Sequence, residues 1–316
     1  MDDPVTPSVA VIDIGSNSIK VLVACLTRKA RLHALFAQTL DVRISAGISQ
    51  ALPRLSEEGM QTGVAAVRTL VENSRLFHPA TTQVVATSAV RDAVNGAEFR
   101  ARIKSATGLD VRILTGEEEA NLIGRGLLTD PAVASFRDFY LFDLGGGSLE
   151  CLCFREQRVT RSVSLPLGCV RLTEKCVADP HLPFGPEAHA AVTDLVKSTL
   201  RASAFAFDLG DNADALFIGG TLTTARFMLA AAAETPPDSA PTCIPASDLR
   251  ALYTRIASLT LAERKHVPAL PPERADVLPT ALATALAVAE LGRIHKFHTS
   301  FHNLRWGIAD EVLPVS

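Results

Sequence analysis

Apolar residues fall into short runs along the chain, and two of these runs end in the same motif. Residues 9–18 (VAVIDIGSNS) and 139–148 (FYLFDLGGGS) each read as an apolar run followed by D-x-G-x-x-S. The aspartates of the two motifs, Asp13 and Asp143, are 130 residues apart (143 minus 13). A second apolar run follows each motif, which predicts two β-hairpins with Gly- and Ser-rich tips. The repetition predicts a chain made of two related halves.

Helix and strand patterns alternate around these hairpins. Ser56 is a predicted N-cap for a helix in which Met60, Val64, Val67 and Val71 recur at helical spacing. The other predicted helices cover residues 89–106, 117–128, 186–205 and 281–291 and a segment opened by residues 219–221, and the other strands cover 83–86, 111–114, segments up to 165, and 215–218. The alternation predicts a mixed α/β fold with helices packed on sheets.

The length of the chain favours two domains, because 316 residues exceed the usual size of one hydrophobic core. The helical pattern gives way to a turn at Thr129-Asp-Pro131. We therefore expect a first lobe over residues 1–129 and a second lobe over residues 130–316, with the last helix able to pack back on the first lobe.

Composition and charge restrict the classes of partner. A formal net charge of -3 and a pI near 6.2 argue against a broad basic surface for nucleic acid. The apolar stretch 277–289 is too short to cross a bilayer, and residues 1–8 lack the pattern of a secretory signal. Six cysteines without a C-x-x-C pair suit reduced thiols. We expect a cytoplasmic protein with neither a nucleic-acid nor a membrane partner.

The two hairpin tips are candidates for phosphate binding, because Gly and Ser let backbone N–H groups converge without Cβ obstruction. The predicted phosphate-binding residues are Ser16, Asn17, Ser18, Gly145, Gly146, Gly147 and Ser148. Taken singly, each motif also fits an ordinary turn. Asp143 and Glu150 are predicted metal ligands, since Glu150 alternates onto the face of Ser148 and Mg²⁺ binds through one or two carboxylates plus phosphate oxygens. An exposed strand position is the other reading of Glu150.

Six motifs together resemble the exopolyphosphatase and guanosine pentaphosphate phosphohydrolase family (Ppx/GppA). They are AVIDIGSNS at 10–18, ATSAVRDAVN at 86–95, GEEEA at 116–120, DLGGGSLE at 143–150, GCVRLTE at 168–174 and GGT at 219–221. They occur in the family's order and extend to RAD at 274–276 and LRWG at 304–307, so the resemblance covers nearly the whole chain. It implies the actin-like ATPase superfold, in which duplicated ribonuclease H-like domains form two lobes with an active site in the cleft. The length resembles the family's short two-domain branch.

The resemblance also implies roles for individual residues. Glu119, immediately before Ala120 in GEEEA, corresponds to the catalytic glutamate that positions or deprotonates the attacking water. Glu117 and Glu118 are then helix-start charges. Arg91 resembles the family's phosphate-contacting arginine, although a helix-surface arginine without a ligand also fits its position. Mg²⁺ or Mn²⁺ is the expected cofactor, since in-line attack needs an oriented water and charge neutralisation.

The implied activity is removal of terminal phosphate from inorganic polyphosphate, guanosine pentaphosphate, or both. Short polyphosphates are the expected preference, because 31 basic residues against 34 acidic ones give no track for a long polyanion. A phosphotransferase of the acetate- or sugar-kinase type shares the superfold but needs an acceptor site, and a non-catalytic actin-like scaffold needs insertions for its contacts. A symmetric homodimer is a reasonable expectation for such an enzyme.

Several other positions are expected to have structural rather than catalytic roles. His295, His298 and His302 would share a helical face as a zinc site, but the family pattern there is a strand and turn. Arg171 and Glu174 resemble positions that shape the wall of the second lobe's cleft. The GGT turn resembles a nucleotide-binding turn, but it is not evidence for ATP. Thr280 and Trp306 depart from the family pattern, which usually has a glycine and an acidic residue at these positions.

Overall fold

The computed structural model describes residues 7–211 and 213–313. The chain forms two compact units. Unit 1 contains the described residues up to Ala134 together with those from His302 onward, and unit 2 is Ser135–Phe301. The boundary lies five residues (134 minus 129) beyond the predicted one. The described residues from His302 onward, which include the last helix, belong to unit 1.

Unit 1 is built on a five-stranded sheet with the order β3-β2-β1-β4-β5. The strands are β1 (Val9–Ile14), β2 (Ser18–Leu26), β3 (Leu32–Asp41), β4 (Thr81–Ala86) and β5 (Val111–Ile113). β1, β2 and β3 pair antiparallel, whereas β4 runs parallel to both β1 and β5. β1 and β2 are buried along almost their whole lengths, which explains why they read as continuous apolar runs rather than alternating ones.

Five helices of unit 1 lie in the described residues. They are α1 (Glu57–Arg75), α2 (Ser88–Asp92), α3 (Gly96–Thr107), α4 (Gly116–Leu128) and, from the end of the chain, α11 (Leu304–Val312). The predicted N-cap of α1 is confirmed, because the Ser56 hydroxyl accepts the N–H of Gly59 at 2.9 Å. Met60, Val67 and Val71 are buried as the helical spacing predicted, and Val64 is half-buried.

The prediction of one helix over residues 89–106 is wrong, because α2 and α3 are separate. Ala93 is extended (φ -74°, ψ 130°), which ends α2. The side chain of Asn95 then accepts the N–H of Leu55 at 2.9 Å and donates to the Leu55 carbonyl at 3.0 Å. This pair of hydrogen bonds fixes the break by a contact 40 residues away in the sequence, which helical periodicity does not reveal.

The C-terminal helix α11 packs on α4, β1 and β2. The helices approach closely because glycines face each other: a Cβ added to Gly126 would lie 2.7 Å from the backbone nitrogen of Gly307. Arg305 donates from Nη1 to the Val21 carbonyl at 2.8 Å. These contacts place Trp306 in unit 1, although residue 306 lies within the range expected for the second lobe.

Unit 2 contains a six-stranded sheet that repeats the first. The strands are β6 (Phe139–Leu144), β7 (Leu149–Arg155), β8 (Arg158–Leu165), β9 (Asp214–Ile218), β10 (Cys243–Pro245) and β11 (Lys296–His298). The run β8-β7-β6-β9-β11 has the order and strand directions of β3-β2-β1-β4-β5, and β10 adds an antiparallel edge. The predicted internal repeat is therefore confirmed.

The helices of unit 2 include one buried along most of its length. They are α5 (Cys169–Cys176), α6 (Pro186–Ala202), α7 (Gly220–Ala232), α8 (Ala246–Ala257), α9 (Leu261–Arg264) and α10 (Leu278–Gly292). Short 3₁₀ turns cover Pro131–Val133 in unit 1 and Pro237–Ser239 and Pro272–Arg274 in unit 2. α10 contacts α5, α6 and α8, which explains its Ala-rich, apolar sequence. No described helix is both long enough and apolar enough to cross a bilayer.

Candidate active site

The first hairpin tip joins β1 to β2 in unit 1. The N–H of Gly15 donates to the Ser18 carbonyl at 3.2 Å and closes the tip. Ser16, Asn17 and Ser18, all predicted to bind phosphate, are buried. The tip is therefore packed against the rest of unit 1 rather than extended into solvent.

Asn17 is held by the segment that follows β3. Its carbonyl accepts the N–H groups of Val42 and Arg43 at 3.1 and 2.9 Å. Its side-chain oxygen accepts Nε of Arg43 at 3.1 Å, and its Nδ2 donates to Asp41 at 3.4 Å. These bonds fix the orientation of the Asn17 side chain, and the backbone N–H of Asn17 is a further donor at this tip.

The two residues predicted to be catalytic contact each other. Nη1 of Arg91 donates to Oε2 of Glu119 at 3.0 Å and also to the Leu114 carbonyl at 3.0 Å. Ser88, one helical turn before Arg91 on α2, shares a hydrogen bond of 3.2 Å with the hydroxyl of Ser16. A short α2 thus joins the first tip to the Arg91–Glu119 pair.

The three glutamates of the GEEEA motif differ in environment. The Glu119 side chain is 8% exposed, whereas Glu117 is exposed. Glu118 completes a capping box with Thr115. The Thr115 N–H, followed by the Arg112 guanidinium, holds the pKa of Glu118 below its ordinary value. Only Glu119 in this motif is a buried carboxylate that faces an arginine.

Asp13 is a half-buried acid next to the first tip. Its Oδ1 is buried without a hydrogen-bond partner. Burial raises the pKa of Asp13, and the charges of Lys20 and Arg305 act in the opposite direction. A buried acceptor without a partner is costly, so this oxygen marks a position where a water or a ligand's donor would be stabilised.

The second hairpin tip, in unit 2, brings the two predicted metal ligands together. The N–H of Gly145 donates to the Ser148 carbonyl at 3.0 Å, as at the first tip. Asp143 and Glu150 are direct cross-strand partners, so both side chains lie on the same face of the sheet. The Ser164 hydroxyl donates to Oε1 of Glu150 at 2.7 Å. Gly219 leaves room beside them, since a Cβ there would lie 2.6 Å from Oδ1 of Asp143.

This pair of carboxylates fits a hard divalent cation. Within the described residues, no group of three or more His, Cys, Asp or Glu side chains is arranged to hold a metal ion. A cation at Asp143 and Glu150 would therefore take its remaining ligands from water and phosphate. Mg²⁺ is bound in that way, through one or two carboxylates and substrate oxygens.

Comparison with known proteins decides the family. The profile of the Ppx/GppA phosphatase family matches residues 22–315. The chain belongs to the Ppx/GppA phosphatase family. It is 32% identical over 320 residues to exopolyphosphatase 2 of Mycobacterium tuberculosis, covering 95% of this chain and 97% of the relative. The predicted family is therefore confirmed.

Solved structures of Ppx/GppA proteins share the fold. An exopolyphosphatase from Cytophaga hutchinsonii superimposes with a TM-score of 0.88 at 21% identity, covering 97% of each chain. The Aquifex aeolicus family member superimposes with a TM-score of 0.77 at 22% identity, covering 98% of this chain and 99% of the other. The predicted actin-like ATPase fold is confirmed.

Two family motifs meet at the GGT turn of unit 2. The guanidinium of Arg274, from the RAD motif, occupies the space that a Cβ on Gly220 would need. Arg264 is almost fully buried and donates from Nη1 to the Ala275 carbonyl at 3.1 Å, which fixes the residue next to Arg274. The sequence analysis gave Arg274 no role, and the glycine pair at 219–220 was the only signal of such a close approach.

The two departures from the family pattern have structural partners. Thr280 is fully buried, and its hydroxyl accepts a hydrogen bond of 2.8 Å from Thr173 of the GCVRLTE motif. Trp306 stacks on His302 with ring centroids 3.6 Å apart. Neither residue contacts the tips described above through these bonds, so both departures concern packing.

His295, His298 and His302 do not share a helical face. His298 lies on strand β11, as the family pattern indicated, and packs on Phe136. His302 belongs to unit 1, where it shares a hydrogen bond of 2.7 Å with the Thr129 hydroxyl.

Ser88 and Ser164 are polar partners that the sequence analysis did not single out. Ser88 lies within the ATSAVRDAVN motif. Ser164 is the cross-strand partner of Glu150, so it could be found only once the register of β7 and β8 was known.

Proposed function

We propose that this chain is a phosphohydrolase that removes terminal phosphate from inorganic polyphosphate, with short chains preferred, or from guanosine pentaphosphate. The observation that carries the proposal is the buried Glu119 held by Arg91, in a member of a phosphatase family. The name of the Mycobacterium tuberculosis relative, exopolyphosphatase 2, supports polyphosphate as the substrate class.

Glu119 is the proposed general base. Its carboxylate accepts the proton of the water that attacks the terminal phosphorus in line with the leaving phosphate. Arg91 orients this carboxylate through the 3.0 Å bond from Nη1. Nε of Arg91 lies 3.5 Å from Oδ1 of Asp92, so Nη2 is the proposed donor to phosphate oxygens, where an arginine neutralises phosphoryl charge.

The backbone N–H groups at residues 16–18 and 146–148 are the proposed phosphate donors. The N–H of Gly145 donates to the Ser148 carbonyl, so the part of Gly145 in phosphate binding is to shape the second tip. Asp143 and Glu150 are the proposed ligands of Mg²⁺ or Mn²⁺, and Ser164 fixes the orientation of Glu150 through its hydroxyl. When bound, the cation would neutralise phosphate oxygens and so stabilise the charge that develops in transfer.

The experiment is metal-dependent release of inorganic phosphate from tripolyphosphate, long-chain polyphosphate and guanosine pentaphosphate, assayed side by side. We expect release with Mg²⁺ or Mn²⁺, none after chelation, and a rate lower by about a hundredfold or more for Glu119→Gln, while the exposed Glu117→Gln control stays active. Phosphate release that requires an added acetate or sugar acceptor would identify a phosphotransferase instead. A wild-type protein inactive on all three substrates would reject the proposal.

A further inference from the structure

A Val-Arg segment lies behind each hairpin tip. In unit 1 the N–H groups of Val42 and Arg43 both donate to the Asn17 carbonyl, at 3.1 and 2.9 Å. In unit 2 the N–H groups of Val170 and Arg171 both donate to the Gly146 carbonyl, at 2.9 and 3.2 Å. Each tip therefore has one carbonyl oxygen held by two consecutive backbone donors.

The arginine side chains repeat this correspondence. Nε of Arg43 donates to the side-chain oxygen of Asn17 at 3.1 Å. Nε of Arg171 donates to the Gly147 carbonyl at 3.0 Å. Asn17 and Gly147 are equivalent positions of the two motifs, since they are separated by the same 130 residues (147 minus 17) as the aspartates. In both units a guanidinium thus contacts the fifth residue of the D-x-G-x-x-S motif, through its side-chain oxygen in unit 1 and its backbone carbonyl in unit 2.

The two segments have different local structures. Val42 and Arg43 follow β3, and Arg43 has φ +37°, a conformation that non-glycine residues rarely adopt. Val170 and Arg171 lie in the first turn of α5. Gly168, just before them, packs so closely on Gly146 and Gly147 that a Cβ would overlap their backbone. Since neither the loop nor the helix is repeated in the other unit, duplication of the hairpin alone does not explain the shared contact.

The contact has a direct electrostatic consequence. A carbonyl oxygen that faced a phosphate would repel it, whereas a backbone N–H attracts it. We propose that Arg43 and Arg171 are positioning residues. Through Nε each holds one oxygen of its own tip, the side-chain oxygen of Asn17 or the carbonyl of Gly147, away from a bound phosphate group, so that the N–H groups of that tip face it. This role rests on the proposed phosphohydrolase function.

Kinetics of four variants test the role. Arg43→Met and Arg171→Met remove the guanidinium, and Arg43→Lys and Arg171→Lys keep the charge without the Nε–H. All four should lose about tenfold or more in kcat, with KM changed less than about threefold, because misplaced donors weaken the transition state most. The matched controls, Arg100→Met in unit 1 and Arg201→Met in unit 2, change exposed arginines and should keep wild-type kinetics.

Other kinetic outcomes would overturn the role. If the arginines bound substrate directly, KM would rise in the Met variants and its salt dependence would weaken, as when a phosphate contact is lost. Full activity of both Lys variants would show that charge matters rather than the Nε hydrogen bond. Unchanged kcat and KM in every variant would mean that the arginines only support the fold.

Hydrogen exchange provides a readout that does not depend on hydrolysis. In Arg43→Lys, amide exchange should accelerate in a peptide spanning residues 15–18 and remain unchanged at 145–148, and Arg171→Lys should show the reverse. Loss of this selectivity would reject the positioning role even in an active enzyme. An inactive wild-type protein that retained the selectivity would reject the proposed hydrolysis but not the control of the tips.

Discussion

Asp143 and Glu150 lie directly opposite each other on β6 and β7, whereas the equivalent pair on β1 and β2 is Asp13 and Lys20. The duplicated hairpins therefore differ in charge at one position. Two opposed carboxylates suit a divalent cation, while an aspartate opposed to a lysine already has its counter-charge. This difference assigns the proposed cation to unit 2.

The first prediction concerns the metal ligands. Asp143→Asn should reduce metal-dependent turnover by about a hundredfold at limiting Mg²⁺, because an amide binds a hard cation more weakly than a carboxylate. Phosphate release as a function of Mg²⁺ concentration measures the loss, with circular dichroism confirming the fold. The exposed Asp194→Asn is the matched control. Equal metal curves for Asp143→Asn and wild type would remove Asp143 from the metal site.

The second prediction separates two adjacent glutamates. Glu119→Gln should lower kcat by about a hundredfold or more with little change in KM, because the amide cannot accept the proton of water. Glu118→Gln should remain close to wild type, since Glu118 caps α4 and pairs with Arg112. Steady-state kinetics of both variants decide the matter. The opposite result, an inactive Glu118→Gln beside an active Glu119→Gln, would move the base to Glu118.

The third prediction concerns Gly219, which has φ +91° and ψ 178°. Gly219→Ala should destabilise the protein by about 1–3 kcal/mol, because this backbone region is almost restricted to glycine. It should also raise the Mg²⁺ requirement, since the added Cβ would lie 2.6 Å from Oδ1 of Asp143. Thermal unfolding and metal titration measure the two effects. Gly185→Ala, with nothing within 4 Å of its Cβ, is the control, and equal behaviour of the two variants would contradict the prediction.

The fourth prediction is a pH dependence of stability. Burial lowers the pKa of His302 below its ordinary 6.5, so the folded protein holds this imidazole neutral. The unfolded chain then binds the extra proton as pH falls below 6.5, and His302 should reduce stability between 6.5 and its lower folded pKa. Chemical unfolding of wild type, His302→Gln and the exposed His33→Gln across this range measures the free energy of unfolding at each pH. Only His302→Gln should lose part of the decrease in stability at low pH. An unchanged slope of the unfolding free energy against pH in His302→Gln would contradict the prediction.

The fifth prediction concerns chain length. With 31 basic and 34 acidic residues, the chain has no charge excess to grip a long polyanion. Hydrolysis of long polyphosphate should therefore be distributive, and initial rates should be higher on short oligomers. A gel time course should show a ladder of shortened products. Full-length chains that coexist with free phosphate, without intermediates, would instead indicate a processive grip.

The sequence predicted the features that depend on local pattern. The two hairpins follow from apolar runs and D-x-G-x-x-S turns, and Ser56 caps α1 as expected. The break between α2 and α3 was missed because Asn95 makes it by bonding Leu55 across 40 residues. The sequence left the last helix able to pack back on the first lobe, but the contact that places α11 in unit 1, Gly307 against Gly126, was not visible in it. Contacts of this kind have no periodic signal in the sequence.

The candidate site shows the same difference between features set by local pattern and features set by long-range contacts. The Asp143–Glu150 pairing follows from strand alternation once the hairpin is assumed. The contacts of Arg43 and Arg171 with the tips depend on where distant segments return to the sheet, and Arg43 does so in a rare backbone conformation. Motif spacing specifies which residues form each tip, but not which groups from distant segments contact it.

The position of Trp306 has a spectroscopic consequence. It is the single tryptophan of the chain and lies in unit 1, while the two tyrosines, Tyr140 and Tyr253, both lie in unit 2. Each unit thus carries its own class of intrinsic chromophore. Indole emission follows the denaturation of unit 1 and phenol absorbance follows that of unit 2, in the unlabelled wild-type protein. Coincident or separate midpoints of the two signals would show whether the duplicated halves melt as one cooperative system.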